Sequence, residues 1–169
     1  FILTASGQNI YFPPANEVVE TVIDGFTVGK LGEALAYSLF NFFSGYLVAA
    51  ILGILLGLIL GENPWVMSAV SPALNFTRAL PYVALVPIFI IALGLGALPK
   101  IALIALGCIW PVMLNTVSGV QGIQPSIREV VRTYRIRRFL SFRRITFMGA
   151  LPEIFTGLRI AISVGIVLV

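Results

Sequence analysis

QPSIREVVRTYRIRRFLSFRR, residues Gln124 to Arg144, is a polar island in a chain whose flanking residues are close to continuously apolar. It holds Arg128, Arg132, Arg135, Arg137, Arg138, Arg143 and Arg144, seven of the chain's 11 lysines and arginines. An arginine at the bilayer centre costs about 2.5–3.5 kcal/mol on insertion scales, so the island stays out of hydrocarbon and the positive-inside rule sets it in the cytoplasm. The orientation of the rest follows. Residues 14–33, which carry Glu17, Glu20, Asp24 and Glu33 against the lone Lys30, fall on the external side.

Composition agrees with a membrane location. Hydrophobic residues make up 59% of the chain and charged residues 11%, and mean hydropathy is +1.02, which no soluble domain of this length tolerates. The net charge of +4 comes mainly from the island, so it points to anionic lipid or a protein partner and away from nucleic acid. Cys108 is the single cysteine and forms no intrachain disulfide; histidine is absent. Without that ligand and general base, neither a metal site nor an intramembrane metalloenzyme is expected. Phe1 opens the chain without Met and Val169 ends it inside an apolar run, so further helices are expected beyond both ends.

Lipid-immersed backbone must satisfy its hydrogen bonds within helices or a closed barrel, and these runs lack barrel alternation. The expected fold is therefore all-α: one polytopic transmembrane helical bundle over residues 1–169. Ala36–Leu60 is long enough to span, with Gly45, Ala49, Gly53, Gly57 and Gly61 recurring every fourth residue as a close-packing stripe. Residues 64–80 read as an interfacial or entering helix. Pro81–Leu98 and Ile101–Val120 read as two further spans, with kinks expected at Pro87 and Pro111. The last span is expected to start near Ile145. Its small-residue row is Gly149, Gly157, Ala161 and Gly165, with Glu153 completing the row and so expected to face protein.

Within residues 124–142, Ser126 and Glu129 have capping-box spacing, which predicts a helix start. Ile127, Val130, Val131 and Tyr134 then fall on one face, whereas Arg128, Arg132, Arg135 and Arg138 take the other. Such an amphipathic helix either lies on anionic lipid or docks into a partner's groove.

The stretch Gly122–Thr133, followed by Ile145 and by Gly149-Ala-Leu-Pro152-Glu-Ile-Phe-Thr-Gly157-Leu-Arg159-Ile-Ala161, resembles the EAA-loop region of ATP-binding-cassette importer permeases. The branch it most resembles includes the sulfonate, taurine and nitrate permeases. Phe12-Pro13-Pro14, Ser71-Pro72, Arg78-Ala-Leu-Pro81, Ala84-Leu-Val-Pro87, Gly94-Leu-Gly96 and Lys100 match that branch in order. There are departures: Glu129-Val130-Val131 replaces Glu-Ala-Ala, Arg135 replaces a glycine, and Phe147-Met148 replaces a Leu-Pro. The resemblance implies a type I importer permease of the inner membrane whose residues 124–142 carry a coupling helix. Ser126, Glu129, Val130, Val131, Arg132, Tyr134 and Arg135 would contact a cytoplasmic ATPase subunit. It further implies a second permease copy or paralogue, an external substrate-binding protein and a small anionic solute such as a sulfonate or nitrate. The chain has no Gly-x-x-x-x-Gly-Lys-Ser/Thr sequence, so ATP and Mg are expected on the separate ATPase, and no cofactor on this chain. The competing reading is a channel or secondary transporter whose basic loop binds acidic lipid.

Polar residues inside the membrane are the translocation-path candidates: Asn75, Arg78, Asn115, Glu153 and Arg159. Thr116 joins Asn115 as expected interhelical hydrogen-bond glue, and Arg78 sits where a helix-end anchor is expected. Glu153 and Arg159 are roughly 240° apart around a helix and do not pair within it.

Overall fold

The computed structural model describes residues 14–27, 29–78 and 81–169, with the side chain of Arg78 excepted. The opening stretch through Phe12-Pro13, the anchoring role expected of Arg78, and Ala79-Leu80 lie outside the described residues. Among those described there are helices and connecting turns but no strands. Two compact units make up the chain, residues 1–40 and residues 41–169.

In the first unit, α1 (Ala15–Thr27) is amphipathic, with Val18, Val22, Ile23 and Phe26 exposed. It ends in a turn closed by the Gly29 amide on the Asp24 carbonyl (2.9 Å). The first residues of α2 (Leu31–Glu62) complete this unit.

The second unit is built on three helices long and apolar enough to cross a bilayer: α2, α5 (Ala97–Gln121) and the continuous helical path Arg138–Leu168, whose last part is α8 (Met148–Leu168). The glycine stripe of α2 is buried against α5. A Cβ added to Gly45, Gly53, Gly57 or Gly61 would meet Ile104, Val112, Thr116 or Val120, at 2.8, 2.9, 2.5 and 2.7 Å respectively. All four pairs share an offset of 59 residues, so α2 and α5 run parallel, each offering a four-residue row. Small residues permit this approach where lipid removes any hydrophobic drive for helix association.

Helix α8 runs antiparallel to α5. Gly165 lies against Cys108, Gly157 against Pro111 and Asn115, and Gly119 against Ala150 and Glu153. The Cys108 thiol donates to the Ala161 carbonyl (3.3 Å), and the Tyr46 hydroxyl of α2 donates to the Leu158 carbonyl (3.1 Å). The buried row on α8 is Ala150, Ile154, Gly157, Ala161 and Gly165, so the expected members Gly149 and Glu153 are exposed instead. Each four-residue step winds about 40° past a full turn. The three-residue step from Ile154 to Gly157 takes up that drift and leaves Glu153 off the seam.

Because α2 and α5 enter from the same side, the chain between them must recross the bilayer. It does so in broken form through α3 (Pro64–Arg78), a 3₁₀ turn (Tyr82–Leu85) and α4 (Val86–Leu93). Leu74 of α3 packs with Leu60, Met113 and Val117. The expected span Pro81–Leu98 is thus not one helix. At 8 residues α4 is about 12 Å long, and Gly94 (φ 79°) and Gly96 (φ 138°) stop it in conformations that disfavour side chains. Pro87 lies in the first turn of α4, where its missing N–H is harmless, so it starts a helix and does not kink one. Pro111 is inside α5.

Candidate functional site

The cytoplasmic ends of α2, α5 and α8 meet the arginine island. There α6 (Pro125–Thr133) forms, with Gln124 as N-cap. The Gln124 carbonyl accepts from the amides of Ile127 (3.0 Å) and Arg128 (3.5 Å). The expected Ser126–Glu129 capping box does not form. Pro125, with its fixed φ and absent N–H, takes the first helical position and moves the cap from Ser126 to Gln124, two residues upstream. Ser126 and Glu129 are therefore exposed on the first turns with no side-chain cap bond.

The far end of α6 closes in a Schellman arrangement. The Ile136 amide donates to Val131 O (3.1 Å) and the Arg135 amide to Arg132 O (3.2 Å), with Arg135 in the left-handed region at φ 47°. That position is where the resemblance expects glycine, and the φ explains why: an L side chain there costs roughly 1 kcal/mol or more.

The helix is mounted with its apolar side outward. Tyr134 is 76% exposed, Val130 50% and Ile127 41%. Val131, expected on the same face, is instead half-buried and lines a cleft of about 200 Å³ with Glu62, Arg128, Arg132, Ser141 and Thr146. One hydrogen bond ties this inward side to the spans, and a second, beside it, joins the start of the last span to α2. The Arg128 guanidinium donates through Nη2 to the Val120 carbonyl in the last turn of α5 (2.7 Å). The Thr146 hydroxyl donates to Glu62 Oε1 at the end of α2 (2.8 Å). A cation on the terminal carbonyls of a helix also complements its dipole.

Thr146 reaches Glu62 from a π-helical turn, Phe142–Phe147, between α7 (Arg138–Ser141) and α8. The helical path that becomes the last span thus begins at Arg138, seven residues before the expected start at Ile145. A helix can continue through the headgroup layer with its arginines in water. Single π turns recur at functional sites because they re-aim side chains. Glu62 was not singled out in the sequence. Its signal was faint: an acidic residue in the last turn of a span, where the helix dipole disfavours it.

The translocation-path candidates divide. Asn115 is half-buried on the α5–α8 seam against Gly157, whereas Glu153 is exposed at the edge of that seam, with only its Cβ close to Gly119. Glu153 also lines an open cleft of about 670 Å³ with Ser118, Gly119, Arg144 and Met148. Asn75 and Arg159 are exposed elsewhere. The expected interhelical glue is absent at Asn115 and Thr116. Their side chains donate to Pro111 O and Val112 O of their own helix, both at 2.7 Å, the local back-bonding open to short polar residues.

Comparison with known proteins fits this geometry. Residues 49–168 match the profile of the family described as binding-protein-dependent transport system inner membrane component. Over 95% of its length the chain is 34% identical to a nitrate import permease of Leptolyngbya laminosa, covering 61% of that protein. It is 31% identical to a taurine transport system permease of Escherichia coli, over 92% of this chain and 58% of that protein. With a bicarbonate transport system permease of Synechocystis the identity is 37%, over 82% and 49%. The chain thus spans about half to three fifths of the length of the curated relatives it matches.

Proposed function

The chain belongs to the family of inner-membrane components of binding-protein-dependent transport systems, and on that premise we propose that it lines one half of the translocation path of an ATP-driven importer. The other half is a second copy or a paralogue. Cytoplasmic ATPase subunits, which bind ATP and Mg, drive it through α6, and an external substrate-binding protein delivers the solute. The solute is a small anion, in keeping with the nitrate and bicarbonate named for two relatives and with the sulfonate group of the zwitterion taurine named for a third.

One observation carries this reading: α6 presents Ile127, Val130 and Tyr134 outward while Arg128 fastens its other side to α5. An exposed apolar helix face requires a groove to cover it. A helix gripped from outside and fastened to the spans within passes the motion of one to the other. Glu129 is exposed beside the apolar anchors, and in this reading it makes a charge-assisted contact with the ATPase.

Mild detergent extraction should recover a nucleotide-binding subunit with this chain, and Glu129→Arg should leave ATP hydrolysis running without transport. Recovery of no ATPase, together with solute flux that continues in the absence of ATP, would return the protein to the channels or secondary transporters.

A further inference from the structure

The arginine island is not one surface, because α6 and the segment that follows it present different chemistry at different depths. Thr146 and Ser141 turn inward, lining the cleft with Glu62. At about 100° per residue, the direction opposite Ser141 is shared by Phe139 and Arg143, with Leu140 and Phe142 to either side. All four are exposed, Phe139 at 76%. Arg137 and Arg138 are exposed at the start of the same segment.

Depth follows from the Thr146–Glu62 bond. Glu62 ends the apolar run of α2, so Thr146 beside it marks the edge of the hydrocarbon. At a rise of at most about 1.5 Å per residue, Arg143 lies within roughly 5 Å of that edge, Phe142 within roughly 6 Å and Phe139 about 10 Å from it. The headgroup layer on one side of a bilayer is about 5–7 Å thick. Phe142 and Arg143 therefore sit among the headgroups, and Phe139 lies about 3–5 Å beyond them. Aromatic rings and cations at this level are stabilised by the interface and by anionic headgroups, at about 1 kcal/mol per basic residue.

We propose that the outward face of residues 138–143, formed by Phe139, Phe142 and Arg143 and flanked by Arg137 and Arg138, is a binding site for anionic phospholipid headgroups of the inner leaflet, separate from the partner-facing side of α6. Charge complementarity selects the lipid class: residues 137–144 carry Arg137, Arg138, Arg143 and Arg144, no acidic residue stands between Glu129 and Glu153 in the sequence, and of the four only Arg144 shares a cleft with Glu153. The lipid would anchor the point at which the last span leaves the membrane.

Hydrogen exchange on the intact transporter in nanodiscs tests this, with phosphatidylcholine alone compared with phosphatidylcholine plus phosphatidylglycerol. Amides of residues 138–147 should gain protection in the anionic discs and lose it in high salt, while those of α6 stay unchanged. Arg143→Gln should weaken retention of phosphatidylglycerol, read by native mass spectrometry, roughly fivefold. Arg143→Lys, which keeps the charge and controls for folding, should retain it. Equal protection in both kinds of disc would overturn the proposal. So would protection that ignores lipid charge and appears only when the ATPase subunit is bound, since this face would then belong to the motor.

Discussion

The Arg128 guanidinium and the Val120 carbonyl lie 2.7 Å apart, joining the second turn of α6 to the last turn of α5. A hydrogen bond from a charged donor contributes about 1.5–3 kcal/mol when shielded and less where, as here, the arginine is largely exposed. Its value lies in direction, since the planar fork fixes the angle at which one helix meets the other.

Arg128→Lys should therefore behave almost like Arg128→Ala. Both should raise amide exchange in α6 and lower transport per ATP hydrolysed, with assembly intact. If lysine restores wild-type coupling, the bond acts as a charge alone and the directional argument fails.

Gly57→Ala should destabilise the bundle by about 1–3 kcal/mol, read as a lower unfolding temperature in detergent. Its new Cβ would meet Thr116 Cβ at 2.5 Å and the Met113 carbonyl at 2.8 Å, and backbone cannot yield as a side-chain tip can. Gly32→Ala, with nothing within 4 Å, is the matched control and should be neutral or slightly stabilising.

Arg135→Gly should stabilise the α6 turn by about 1 kcal/mol, by relieving a side chain from φ 47°. Slower exchange of the Ile136 amide, which closes the turn on Val131, is the direct readout. Arg135→Val should move the same signal the other way, because β-branching makes that region costlier.

Thr146→Val should cost about 1 kcal/mol by removing the donor to Glu62 at constant volume. Glu62→Gln keeps an acceptor oxygen and should cost about half as much, since a neutral bond has roughly half the strength of a charge-assisted one. Equal losses in thermal unfolding would show that the carboxylate charge adds nothing to this contact.

Several features of the site were legible from local chemistry. The four-residue stripe on α2, the amphipathic period of residues 127–134 and the arginine that stands at 135 in place of a glycine are all properties of residues near one another in the chain. Others were misread where two local rules competed. Pro125 outranked Ser126 for the helix start, the glycines at 94 and 96 outranked hydropathy over residues 81–98, and helix periodicity carried Glu153 off the packing row.

The chain's own letters determined that this is an all-helical membrane protein with its basic segment in the cytoplasm, because the transfer cost of arginine and of unpaired backbone is set residue by residue and needs no knowledge of neighbours. Tertiary structure alone decided that α2 and α5 run parallel in a 59-residue register, that Glu62 meets Thr146, and that α6 leaves Val130 and Tyr134 exposed while Val131 turns toward the bundle. These relations join positions as many as 84 residues apart, and they depend on which helix faces fit together once every span has entered the bilayer.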